Sequence, residues 1–161
     1  MPTNADYNEL VSQLAFKQQR NDAIYRLIGA INARDLARVT VRPEVKGSLI
    51  QGLTHENAKV RWWCLQLMDH LADESFIPYI LPLLDDPVGK VRKHAIHALT
   101  CDICKPDKCG LALNEEVRRR IEAAAQMDPD HRVRQEARRG LSAWAQAQTI
   151  VQPCRPNIDL Q

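Results

Sequence analysis

The stretch Asp86-Pro87-Val88-Gly89-Lys90-Val91-Arg92-Lys93-His94-Ala95 decides how the chain folds. An Asp-Pro pair stops one helix and caps the next. Val91 then opens an apolar stripe that continues at Ala95, Ala98 and Leu99. This is the i, i+4, i+7, i+8 spacing of a helix with one buried face. The small residue at i+4 lets a neighbouring helix approach closely.

The pattern recurs on both sides. Asp128-Pro129-Asp130-His131-Arg132-Val133-Arg134-Gln135-Glu136-Ala137 repeats it, with Gly140 and Leu141 completing the stripe. Thr54-His55-Glu56-Asn57 precedes a third copy, Lys59-Val60-Arg61, followed by Cys64, Leu67 and Met68. A further stripe lies before each copy: Val45, Leu49, Gly52 and Leu53; Phe76, Ile80, Leu83 and Leu84; Val117, Ile121, Ala124 and Ala125. Each unit therefore reads as helix, tight turn, helix. Pro78 fits the first turn of its helix, and Pro82 should kink that helix.

The Val-Arg pairs are spaced 31 and then 42 residues apart, because a cysteine-containing segment, 101–111, interrupts the series. A degenerate unit is expected to open the chain, with helices over 6–18 and 22–33 and with Ile24 and Ile28 in the stripe. Terminal units depart from consensus because they cap an open apolar face. The units fall at about 4–35, 43–72, 75–100 and 114–147. The tail, 149–161, is expected to be extended.

The two Asp-Pro strings resemble the second-helix signature of HEAT repeats, and the match spans roughly residues 43 to 145. The first unit departs from it, with His55 where the family usually has Asp. The resemblance implies an all-α fold, a right-handed α-α superhelix of about four helical hairpins. It also implies that Arg61, Arg92 and Arg134 form a ladder, each pairing with the turn Asp of an adjacent unit, Asp86 or Asp128. Arg suits this role because its planar fork meets a carboxylate at two points. The other reading of the ladder is a basic ridge for phosphate or an acidic partner.

Composition narrows the function. Across 161 residues, 45% are apolar, which is enough for a core, and only 5% are aromatic. A net charge of +2 is too small to imply nucleic-acid binding by itself. The polar N-terminus shows no secretory pattern, and Phe76 to Leu84 is too short to span a bilayer, so a cytoplasmic setting is expected. No phosphate loop, nucleophile elbow, His-Glu-x-x-His motif or dinucleotide fingerprint is present, which argues against an enzyme and against a small-molecule ligand.

The five cysteines are then more naturally thiols or metal ligands than disulfides. Cys101, Cys104 and Cys109 cluster where the repeat is interrupted. His97 is four residues before Cys101 and shares its helix face. These four residues make a candidate zinc site, with His94 or Cys154 as alternative fourth ligands. A closed site of this kind would be structural. An iron–sulfur cluster, ordinary reduced thiols, a disulfide and a redox-active thiol pair are the other readings.

A solenoid offers an extended surface for a protein or peptide partner. Trp62, Lys59, Lys90, Lys93, Arg138 and Arg139 are the outward residues expected to meet it. The basic helix faces allow nucleic acid as an alternative, as in HEAT-like DNA glycosylases, although no catalytic carboxylate of theirs can be matched here. Similarity to HEAT-like subunits of bilin lyases allows an accessory role.

Overall fold

The computed structural model describes residues 4–32, 40–41, 43–69, 74–101 and 114–150. Helices α1 (Asn4–Gln13) and α2 (Arg20–Ala30) open the chain. A two-residue antiparallel ladder follows, pairing Ile31 with Val41 and Asn32 with Thr40. Next come α3 (Pro43–Gly52) and α4 (Ala58–Asp69). The following hairpin has a broken first arm: a 3-10 turn (Glu74–Phe76), a short α5 (Ile77–Ile80) and a second 3-10 segment (Leu81–Asp85). Its second arm is α6 (Gly89–Thr100). The last hairpin comprises α7 (Glu115–Met127) and α8 (His131–Ile150).

This is an all-α helical repeat. The second helices stack in chain order, α4 on α6 and α6 on α8, while α3 packs on α1 and α7 on α8. Val60, Val91 and Val133 are all buried, as are Cys64, Ala95 and Ala137 four residues on. Each fully buried apolar side chain of this size contributes about 1.5–3 kcal/mol. Close approach also accounts for Gly140. A Cβ there would lie 2.6 Å from Thr100 Oγ1 and 2.7 Å from Thr100 Cβ, so α6 and α8 touch where α8 has no side chain.

Two prolines explain the broken arm. Pro78 sits at the start of α5 and Pro82 at the start of the next 3-10 segment, where the N–H that proline lacks would have no intrahelical acceptor anyway. The arm is therefore more interrupted than the single kink expected at Pro82.

The opening unit differs in register. Ala23, Leu27 and Ala30 are buried on α2, whereas Ile24 is half-buried and Ile28 is 50% exposed. No Val-Arg pair anchors this unit, and the stripe falls one residue earlier than its isoleucines suggest. The helix ends are also shorter: α1 stops at Gln13 and α2 at Ala30. At the other end, α8 runs through Thr149 and Ile150, the first residues of the expected tail. The rest of the tail, with Cys154, lies outside the described residues.

Candidate functional site

Two polar systems cross the stacked second helices, one at their turns and one further along them. The first lies at the turns. Arg61 Nη1 donates to the carbonyls of its own turn, His55 at 2.7 Å and Glu56 at 2.9 Å. Its Nε and Nη2 grip the two oxygens of Asp86 in the next turn, at 2.6 and 2.9 Å. Arg92 repeats the arrangement, donating to Asp86 O at 2.8 Å and to both Asp128 oxygens at 2.8 Å. Arg134 donates to Asp128 O at 2.6 Å and to Pro129 O at 3.2 Å.

The aspartates also shape their own turns. Asp86 Oδ1 accepts from the Val88 amide, and Asp128 Oδ1 from the Asp130 amide, both at 2.8 Å. His55 serves the same purpose in its turn, its Nδ1 accepting from the Asn57 amide at 2.9 Å. On α2 the ladder position holds no arginine, since Tyr25 follows Ile24 where the later units have Val-Arg, so no fork requires a carboxylate in this turn and an imidazole nitrogen suffices. Burial pushes the Asp128 carboxyl up, but hydrogen bonds from Arg92 and the Asp130 amide outweigh it and hold the group below the ordinary range.

The second system lies further along the same helices, at the C-terminal ends of α4 and α6 and in the first half of the longer α8. Asp69, the last residue of α4, is buried. Its Oδ2 lies 3.4 Å from Nε2 of His97 on α6. On the other side of the ring, Nδ1 lies 3.1 Å from Oε1 of Glu136 on α8. Arg139 donates to that same oxygen at 2.6 Å. Arg139 also comes within 3.1 Å of His97 Nδ1, and since both are donors, the Glu136 carboxylate between them satisfies both. Hydrogen bonding to Asp69, then to Glu136, outweighs burial and raises the His97 pKa to about 9. Cys101 follows four residues later, ending α6 with its amide donating to His97 O at 2.9 Å. Potential ligand atoms of Asp69, His97 and Cys101 all lie within 4.8 Å of one another.

The sequence-predicted ligands separate at this point. His97 and Cys101 come together with Asp69, which sequence reasoning missed. His94 does not join them: its Nε2 is 2.7 Å from Gln66 Nε2. Burial chiefly, then the charge of His97, drives the His94 pKa down to about 4, so it is neutral. Cys104, Cys109 and Cys154 lie outside the described residues. The Cys64 thiol is buried, and desolvation raises its pKa far out of the titrating range.

The outward residues fall into three groups. Trp62 is half-buried and packs against the core; its ring meets Trp63 at 4.7 Å and His94 at 5.7 Å between centroids, and Lys90 Nζ sits 3.7 Å above it. Trp62 and Lys90, with Lys59, Arg20, Ala58, Trp63, Val88 and Val91, line an open cleft of about 360 Å³. Lys93 and Arg138 are exposed elsewhere, and Arg139 is engaged with Glu136.

A larger cleft of about 510 Å³ lies among Ile50, Leu53, Pro78, Tyr79 and Pro82, but its polar wall is Arg61 and Asp86 of the turn network. The basic face of α7 is neutralised. Arg118 pairs with Glu115, and Arg119 with Glu116, at 2.8 Å, and Arg120 with Asp85 at 2.6 Å. Among the described residues no helix is long and apolar enough to cross a membrane.

A family profile described as HEAT repeats matches residues 47–142. A search of curated proteins finds no match.

Proposed function

This chain belongs to the HEAT-repeat family, whose repeats are generally protein-interaction scaffolds, and from that premise we propose that it is a non-enzymatic module that binds an acidic peptide segment of a protein partner. The cleft on α4 and the start of α6 carries this reading. Arg20, Lys59 and Lys90 line it with Trp62, Trp63 and two valines, and no carboxylate is among its lining residues. Amphipathic rings beside fixed cations are the usual anchors of a binding hot spot. A segment with a carboxylate next to an aliphatic or aromatic side chain fits that lining. Phosphate on α7 would instead have to displace carboxylates already paired with its arginines.

The test is fluorescence anisotropy with a labelled peptide alternating Glu and Leu, its Lys-Leu counterpart and a short DNA duplex. The acidic peptide should bind, more weakly as salt rises. Lys90→Glu and Trp62→Ala should each weaken it by roughly tenfold or more, while Arg119→Glu should leave it unchanged. Equal binding of the basic peptide, or indifference to Lys90→Glu, removes this reading. Preferred binding of DNA, lost in Arg119→Glu, would move the function to α7.

A further inference from the structure

We propose that Asp69, His97 and Cys101 form a binding site for a borderline divalent transition metal, Zn2+ by preference. The inference is independent of the peptide cleft, because no residue is shared between the two.

The donor set points to this class of ion. A thiolate, an imidazole and a carboxylate suit Zn2+, whereas Mg2+ and Ca2+ favour all-oxygen shells. The spacing agrees. Tetrahedral bonds of about 2.0–2.1 Å place a nitrogen and an oxygen ligand roughly 3.3–3.4 Å apart, and Asp69 Oδ2 and His97 Nε2 are 3.4 Å apart. The backbone supports it as well. His97 and Cys101 stand one helical turn apart at the end of α6, and α4 ends on Asp69 opposite them.

An independent observation fixes which nitrogen would face the ion. Glu136 holds Nδ1 from the far side at 3.1 Å, so Nε2 is the atom turned toward Asp69. A carboxylate on the non-ligating nitrogen is the usual support of a metal-bound histidine. Arg139 in turn holds Glu136 in place. On binding, the Cys101 thiol and His97 Nε2 each give up a proton to solvent, and the ion takes their place between the side chains. Three protein ligands leave one tetrahedral vertex for water or a further donor.

The alternative is that Asp69, His97 and Glu136 are an ion-pair chain only, with no metal. Elemental analysis and Co2+ titration of the full chain under reducing conditions separate the two. Co2+ is followed by its thiolate charge-transfer band in the near ultraviolet and its visible ligand-field bands. The proposal predicts about one equivalent of metal and a tetrahedral cobalt spectrum with the thiolate band. Cys101→Ser, a change at a half-exposed helix end, should abolish that band with the circular dichroism unchanged. Glu136→Gln should weaken binding by roughly 10- to 100-fold, and Asp69→Asn should weaken it further. No uptake by the wild-type chain leaves the ion-pair chain and overturns the proposal. So does a thiolate band that survives Cys101→Ser, or an affinity that Asp69→Asn leaves unchanged.

Discussion

At their turn ends, α4, α6 and α8 carry one arginine three times over, Arg61, Arg92 and Arg134. Further along these helices, the equivalent positions carry Gln66, His97 and Arg139, and then Asp69, Thr100 and Ser142. The turn end is a lattice: Arg61 and Arg92 each tie their own turn to the aspartate of the next, and Arg134, with no further turn to reach, bonds only the carbonyls of its own instead of the adjacent aspartate expected of it. The far end obeys no repeat. Matched positions hold different side chains, and Asp69, His97, Cys101 and Glu136 meet between the helices from unmatched positions. Residues that recur describe how the stack is held together. Residues that differ at equivalent positions describe what this chain does with its stack.

The comparison breaks first at the lattice. Arg61→Ala would strand Asp86, whose side chain is 3% exposed, without its fork. Removing one partner of such a pair costs about 3–5 kcal/mol, and urea denaturation should show it. Arg61→Lys should recover only part of that loss, because a point charge cannot span both oxygens.

Gly140→Ala comes next. It forces a Cβ into Thr100 and should cost about 1–3 kcal/mol by overpacking, read as a lower melting temperature.

The lattice also has an acid signature. Asp128 has a folded pKa below its unfolded value, so its pairing stabilises the fold above the unfolded value of about 3.9. That contribution is lost as pH falls from there through the folded pKa. Acid unfolding followed by circular dichroism should show Asp128→Asn less sensitive over this window than the wild type.

The smallest effect belongs to the exposed pairs on α7. Arg119→Ala should change stability by less than about 1 kcal/mol, because its pair with Glu116 is solvated and screened.

How much of this could be read in the sequence follows from the same contrast. Val60, Val91 and Val133 were legible because three copies of a helical stripe reinforce one another. The opening unit lacks that anchor, and Ile24 and Ile28 suggest a register one residue away from the buried Ala23 and Leu27. His97 and Cys101 were legible as neighbours because four residues make one helical turn. Asp69 was not. It lies nine residues after Val60, where the other units have Thr100 and Ser142, and only the packing of α4 on α6 brings it to His97. Glu136 was hidden differently. In sequence it reads as one of many charges on a solvated face, yet the α6–α8 contact buries it against a histidine ring.

The division of labour between the two ends can be tested in one experiment: urea unfolding of the wild type, Arg61→Lys and Cys101→Ser, each with and without excess Zn2+. A ligand at about 100 times its Kd adds roughly 2.7 kcal/mol of stability. The account predicts that zinc raises the midpoints of the wild type and Arg61→Lys by the same increment and leaves Cys101→Ser where it was. A zinc shift of equal size in Cys101→Ser, or none in the wild type, would contradict it.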